Sequence, residues 1–451
     1  MNRSIIVIGA GIAGLTAAYR LAKAGMTVTV IEAEDRPGGR MAERRNGDII
    51  YNTGARLIYP FGRVLMDLIG DVGLTGALIP IRGLSSDCGL DDDRYRIELM
   101  PSLRILATPG LSFSERLRLV KFSINALLLR PRVDPDDLTS AGFCDDVTLA
   151  EYCDRRIGRN ARELLIDPLF RGTRSWDPED ISAAFLMSTL PHMLFRDTVY
   201  ALDGGMGRLT ETISGQLAVR FGARAHRIDA TDTDGCRVSI RTGDRSESLE
   251  SDLVICAVEG AVAAALLGDG ARHAAGFLNE VRYNSLGVVH YALADDIPPA
   301  MRFSSRSEDT VLSTYQQLPA APASGRPRAQ LYCQLTPEAV QKMAGRIESI
   351  EPIVREDVRR RLPDIDSRIV DSFVQWIPHK LPTPYPGYGG KVARFRKRQR
   401  DARHRVYFCG DYLRQSLVTG ASASGAEAAD IVMAHWADHS ATAGTTTGYR
   451  S

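Results

Sequence analysis

Three glycines near the start of the chain, Gly9, Gly11 and Gly14, stand in GxGxxG spacing between the apolar run SIIVI (Ser4 to Ile8) and the helical pattern LTAAYRLAKAG. The chemistry of such a strand-turn-helix is anion binding. The first glycine permits a tight turn, the second lets backbone approach a pyrophosphate, and the third lets the helix lie close on the strand, with the phosphates at the positive helix end. Ile12 and Ala13, between the glycines, are candidates for the same contact. Gly25 closes the helix, Met26 to Ile31 (MTVTVI) supplies a second strand, and Glu32 and Ala33 follow at its carboxyl end. An acid there accepts from ribose hydroxyls and repels a 2′-phosphate, which disfavours NADP. Gly38-Gly39-Arg40-Met41 then offers a second backbone approach and a guanidinium to the same pyrophosphate. That second clamp favours FAD over NAD.

The elements that must position these residues need a large body, and 451 residues suit two interleaved domains rather than one core. Composition is that of a globular protein, 44% hydrophobic and 25% charged, with no apolar run of membrane-spanning length. The first strand begins at Ser4, which leaves no room for a leader, so the expected compartment is cytoplasmic. Seven scattered cysteines lack CxxC or Cys/His spacing, so they read as reduced, mostly buried thiols and no metal is expected. A net charge of +1 gives no field for nucleic acid. Locally, eight basic residues surround one acid, Asp401, between Lys391 and Arg405. A solvated connector is the expectation there, with an anionic membrane or acidic partner as the alternative.

With these motifs the chain resembles the flavoprotein superfamily of monoamine and polyamine oxidases, protoporphyrinogen oxidases and phytoene-type desaturases. The resemblance is carried by VIGAGIAGLTAAYRLAKAGMTVTVIEAEDRPGGRM and by Tyr51-Asn52-Thr53-Gly54-Ala55-Arg56-Leu57, similar to the family loop whose backbone passes along the flavin. Asp203-Gly204-Gly205-Met206-Gly207 resembles the turn opening the helix that leads back into the FAD domain. Arg220 to Ile228 and Leu253 to Ala257 read as returning strands, with Ala225 where relatives contact adenine. The stretch from Arg405 to Gly410-Asp411, then Thr419-Gly420-Ala421 and the small residues to Ala429, resembles the C-terminal flavin motif, a helix N-terminus aimed at the isoalloxazine. The resemblance implies an α/β protein: a discontinuous Rossmann-like FAD domain (1–82, 205–270, 393–440), a helical and mixed-sheet substrate domain (83–204, 271–392) and a disordered tail (441–451).

The substrate side is less explicit. Ser114 to Leu129 carries apolar residues at helical spacing behind a Ser cap and reads as a core helix, with a membrane-surface helix the alternative. The stretch Asp167 to Phe185 looks more like the protoporphyrinogen oxidase and desaturase branch than like amine oxidases. LGVVHYAL, RAQLYCQL and RIVDSFVQWI read as strands of a sheet over the flavin. Amine oxidases of the superfamily place a lysine on the strand matching Leu286 to Leu293; here it has none, so either amine oxidation is not the reaction or His290 or Tyr291 takes the role. Arg56, His290, Tyr291, Trp376 and Tyr388 are the pocket candidates, Trp376 being equally a core residue. Arg56 could anchor a carboxylate or the cofactor. No cysteine precedes Tyr407 in the Pro-rich segment where covalent relatives attach flavin, so noncovalent FAD is expected. No catalytic acid or base declares itself, which suits direct hydride transfer to a flavin. The expected function is a two-electron oxidation or desaturation of a medium-sized, largely apolar molecule, with dioxygen or another acceptor. The alternatives are a flavin-dependent isomerase or cyclase, an amine oxidase, and a flavin-binding redox sensor.

Overall fold

Ser4–Ile8 and Thr27–Ile31 are short runs of β-branched residues with almost no exposed side chains, the pattern of strands covered on both faces. They form the centre of a five-stranded parallel sheet in the order Val406–Phe408, Leu253–Cys256, Ser4–Ile8, Thr27–Ile31, Ala218–Arg220. The computed structural model describes residues 3–46, 49–52, 54–89, 94–231, 235–319, 329–401 and 404–443. On one face of the sheet, helices Ile12–Lys23 and Val418–Ala443 pack through small residues, among them Ala17, Ala428 and Ala429. A Cβ at Gly425 would sit 2.1 Å from the Ala13 carbonyl oxygen, so glycine sets that separation. The other face meets an antiparallel sheet of Ala223–Thr231, Gly235–Thr242 and Arg245–Ser251.

A second, seven-stranded sheet runs Ile369–Pro382, Tyr283–Leu293, Ala329–Leu335, Leu312–Pro319, Ala300–Phe303, Ser85–Cys88, Tyr95–Glu98. Its Val289, Tyr291 and Leu293 face the helices Pro337–Met343 and Ile350–Arg359, while His290 faces the opposite side. In the pairing of the first two strands, Leu286 lies opposite Ile377 and Asn284 opposite Leu381. Three residues, Pro378 to Lys380, therefore bulge against Ser285 alone, and a bulge of this kind re-aims the side chains it carries. The remaining body is helical, built around Phe122, Trp176, Phe185 and their neighbours.

Three expectations are corrected. The helix read from Ser114 starts at Phe113, capped by Ser112, whose side chain and that of Glu115 form a reciprocal capping box. It is a core helix on one face only. Leu119, Phe122 and Ala126 are buried, whereas Phe113 (83%), Leu117 (61%), Ile124 (52%) and Leu128 (68%) are exposed. The basic segment is not a solvated connector: Tyr388–Asp401 is a helix that buries Tyr388, Val392, Phe395, Arg396 and Gln399. The C-terminal helix passes Trp436 and runs to Ala443, where a disordered tail is expected; residues 444–451 of that tail lie outside the described residues. All seven cysteines are buried and free. Among the described residues no helix is long and apolar enough to cross a membrane.

Candidate flavin and substrate site

At the carboxyl end of the parallel sheet, helix Ile12–Lys23 opens from Gly11 with no side chain capping its first N–H groups, which leaves them to a ligand. Gly9 takes a left-handed φ of 103° and Gly38 one of 111°. The Gly38 N–H donates to the Ala10 carbonyl at 2.9 Å, and Gly11 and Gly38 form a bridge, so the two glycine turns lie side by side. Ile12, Ala13 and Met41 are buried beneath them, and Ala33 is half-buried. The Glu32 carboxylate accepts from the Ala10 N–H at 2.7 Å and from the Glu34 N–H at 2.9 Å, which fixes it at the end of its strand. A Cβ at Gly54 would sit 1.7 Å from the Arg40 carbonyl oxygen, and the Ala55 N–H donates to that carbonyl, so the flavin loop and the Gly39 turn run in contact. Thr53 of this loop lies outside the described residues. Ala225 sits beside a register shift in its strand, partly buried.

Arg40 departs from expectation. Its guanidinium makes a two-pronged pair with Asp411, at 2.7 and 2.8 Å, and also donates to the Lys380 carbonyl at 2.9 Å. Arg40, read from sequence as a pyrophosphate ligand, and Asp411, of the C-terminal flavin motif, hold one another because a buried carboxylate needs a counter-charge. Helix Val418–Ala443 begins nearby, and a Cβ at Gly420 would fall 2.1 Å from the Gln415 carbonyl oxygen, so Thr419, Gly420 and Ala421 turn tightly into the helix. Gln415 Oε1 and the Tyr412 hydroxyl are buried without a hydrogen-bond partner, while the buried Thr419 hydroxyl and Asp136 carboxyl lie against one another. Gly62 brings Thr419 and Asp136 together, and burial pushes the Asp136 carboxyl up to about 6. Buried polar atoms are seldom left unpaired, so this group beside a helix N-terminus fits the polar edge of a large cofactor. The residues present thus fit a flavin dinucleotide, whose pyrophosphate would meet the two glycine turns and the uncapped helix N-terminus.

On the seven-stranded sheet, an aromatic cluster surrounds His290. His290 bonds Gln375 Oε1 through Nε2 at 3.1 Å and lies between the rings of Tyr51, Tyr332 and Phe373, with centroids at 5.5, 5.4 and 5.7 Å. Burial pushes its pKa down to about 4, the Gln375 bond opposing and the Arg56 charge assisting. Arg56 stacks its guanidinium 3.9 Å over the Tyr332 ring and donates to Gln316 Oε1, while Leu57 packs under Tyr59 and Phe61. Three pocket candidates go elsewhere. Tyr291 alternates to the far face of the sheet and is fully buried against the helices. Trp376 packs into that same layer, and Tyr388 is buried with Leu138 and Val392, its hydroxyl donating to the Tyr412 carbonyl.

The family of flavin-containing amine oxidoreductases matches this sequence over residues 12–433, from the first helix, past the Gly38-Gly39 turn and His290, into the C-terminal helix. The chain belongs to that family. Among curated relatives, the mitochondrial protoporphyrinogen oxidase of Nicotiana tabacum is 29% identical over 189 residues, 40% of this chain and 34% of the relative. The flavin-dependent L-tryptophan oxidase of Lentzea aerocolonigenes is 26% identical over 295 residues, 57% of this chain and 58% of the relative. The chain thus spans between a third and three-fifths of these relatives' lengths. A putrescine oxidase bound to putrescine shares the fold, with a TM-score of 0.72 at 17% identity over 96% of this chain and 99% of that one. The family is one of flavin-containing enzymes, which implies a flavin cofactor for this chain.

Within this flavin-containing family member, two site residues escape sequence reading. Lys380 projects from the bulge, its Nζ donating to Ser175 Oγ at 2.9 Å, and burial drives its pKa well below the ordinary lysine value, with the Arg174 and Arg56 charges adding to the effect. Arg174 ends helix Arg159–Arg174 and reaches the Tyr59 hydroxyl at 3.4 Å. Only the excess of three residues over one in strand register would have singled out Lys380, and register is not written in either strand alone.

Proposed function

We propose that this chain is an FAD-dependent oxidoreductase that carries out a two-electron oxidation or desaturation of a medium-sized, largely apolar organic molecule, with FAD held noncovalently. Segments 1–82, 205–270 and 393–440 hold the cofactor, and 83–204 with 271–392 shape the substrate chamber. The observation that carries the reading is the pair of glycine turns at Gly11 and Gly38, side by side at the uncapped N-terminus of helix Ile12–Lys23. Flavin bound there supplies a two-electron acceptor, which dioxygen or another oxidant recharges. The protein's own part is orientation and exclusion of water. Tyr51, Tyr332 and Phe373 present ring faces and edges to an apolar body, and Arg56 holds a fixed position over Tyr332. His290, with its pKa near 4, stays neutral at pH 7 and offers hydrogen bonding rather than charge. The likeness to a tryptophan oxidase, together with Arg56, supports a second reading in which an amino acid is the molecule oxidised.

Purified protein is to be saturated with FAD, washed and titrated anaerobically with candidate substrates. Bleaching of the oxidised-flavin band by a substrate, and its return on admitting air, supports the proposal. Protein that retains no flavin refutes it. Acid precipitation separates the binding modes: yellow supernatant over a colourless pellet is the noncovalent outcome. Turnover that needs reduced flavin but consumes no acceptor transfers the assignment to an isomerase or cyclase.

A further inference from the structure

Arg56, Arg174 and Lys380 come from three separate parts of the chain: the flavin loop, the end of helix Arg159–Arg174 and the bulge of Ile369–Pro382. Their hydrogen-bond partners are neutral. Arg56 bonds Gln316, Arg174 the Tyr59 hydroxyl and Lys380 the Ser175 hydroxyl. Among the described residues no carboxylate lies within ion-pair distance of any of the three, although nearly every other enclosed cation has one; Arg40, Arg162, Arg171 and Arg396 are each paired with an acid. Asp411, on the carbonyl side of Lys380, is already taken by Arg40. Lys380 is half-buried, its Nζ lies on Ser175 Oγ next to Arg174, and the Arg174 and Arg56 charges both bear on it.

The arrangement is built rather than incidental. Ser175 has a left-handed φ of 57°, a conformation unfavourable for a non-glycine residue. Asn284 stabilises that turn by donating to the carbonyls of both Arg174 and Ser175, at 2.7 and 2.8 Å, while its own Oδ1 accepts from the Leu381 N–H at 3.0 Å. One side chain thus fixes the helix end against the strand just past the bulge, and brings Ser175 Oγ onto Lys380. Enclosed positive charges without a counter-ion are unfavourable, and among the described residues no carboxylate supplies the opposite charge.

We infer that Arg56, Arg174 and Lys380 form an anion subsite in the chamber, and that the substrate carries an organic carboxylate at one end of its apolar body. The inference rests on the flavoenzyme reading and narrows its substrate class: cationic amines are rejected by the same three charges that hold a carboxylate. An arginine fork accepts a carboxylate through two parallel bonds, so Arg174 and Arg56 set its orientation, and Lys380 closes the third side.

The test uses the FAD-loaded protein and ligands of matched shape that cannot be oxidised: benzoate against benzamide, and hexanoate against hexanamide, each followed by perturbation of the flavin absorbance. The carboxylates are expected to bind at least tenfold tighter than their amides. Arg174→Met and Lys380→Met should each remove at least tenfold of the carboxylate affinity while leaving the amides where they were. Flavin content reports the folding of each variant, and the wild-type comparison of benzoate with benzamide decides the matter if a variant fails to fold. Amides or amines binding as tightly as carboxylates, or a flavin spectrum indifferent to carboxylates, overturns the subsite. A chain that takes up no FAD overturns the flavoenzyme reading instead, and the subsite with it.

Discussion

A Cβ at Gly14 would sit 2.1 Å from the Gly9 carbonyl oxygen and 3.0 Å from the Ala257 side chain, whereas one at Gly11 would meet nothing within 4 Å. The space beside Gly14 is filled by the protein, and that beside Gly11 is open, where the proposed pyrophosphate would lie. Gly14→Ala should therefore lower stability by roughly 1–3 kcal/mol through overpacking, with or without FAD. Gly11→Ala should leave the apo-protein within about 1 kcal/mol of wild type, as a helix N-cap change does, yet weaken FAD binding at least tenfold; urea melts and flavin titration separate the two. His290 gives a pH prediction. Its pKa is near 4 in the folded chain and about 6.5 when unfolded, so the unfolded state takes up the proton first. The stability it contributes is present above pH 6.5 and is lost as pH falls toward 4, by at most about 3 kcal/mol. Asp136, raised to about 6, has the opposite sign in that window, stabilising the fold as pH falls. The His290 effect is thus read as the difference between wild type and His290→Gln, which should shrink steadily between pH 7 and pH 4. At this scale the glycines, Glu32 and Arg56 were legible because their spacing is local chemistry. Lys380 and Arg174 were not, since their meeting depends on a bulge and on the strained turn at Ser175.

At the scale of elements, Phe113–Leu129 carries two apolar faces of opposite fate. Phe122 is buried in the helical core, and Phe122→Ala should cost about 3–5 kcal/mol. Leu117 and Ile124 stand on the exposed face, so Leu117→Gln or Ile124→Gln should alter the denaturation midpoint by no more than about 0.5 kcal/mol equivalent. Apolar spacing revealed the helix but could not tell which face meets a neighbour. The strands SIIVI, MTVTVI and LGVVHYAL were readable because β-branched residues between turn signals have few alternatives. Helix Tyr388–Asp401 was missed for a different reason. Its buried Tyr388, Val392, Phe395 and Gln399 recur at helical intervals, but the arginines and lysines crowded between them dominate composition and read as a solvated stretch.

Across the whole molecule, that basic helix is a tie. Arg396 is buried between Asp137 and Glu427, and Arg414 bonds the same Glu427, so the substrate-side helices, the basic helix and the C-terminal helix meet in one charged knot. Removing one member leaves the others buried and unbalanced, and Arg396→Met should destabilise the fold by about 3–5 kcal/mol, read as a drop in thermal midpoint with FAD saturating. The five-stranded parallel sheet has a last consequence. Its edge strand is Val406–Phe408, while the strand it pairs with is Leu253–Cys256 and the next is Ser4–Ile8. On the ribosome, a nascent chain holds its first glycine turn for some four hundred residues of translation before the closing strand and the Thr419 turn are made. Until then the Leu253–Cys256 edge is open to pairing with other chains. Yield from a cell should accordingly respond more to chaperone supply and slow elongation than to riboflavin supply, because the proposed cofactor site is incomplete until the Thr419 turn has been made.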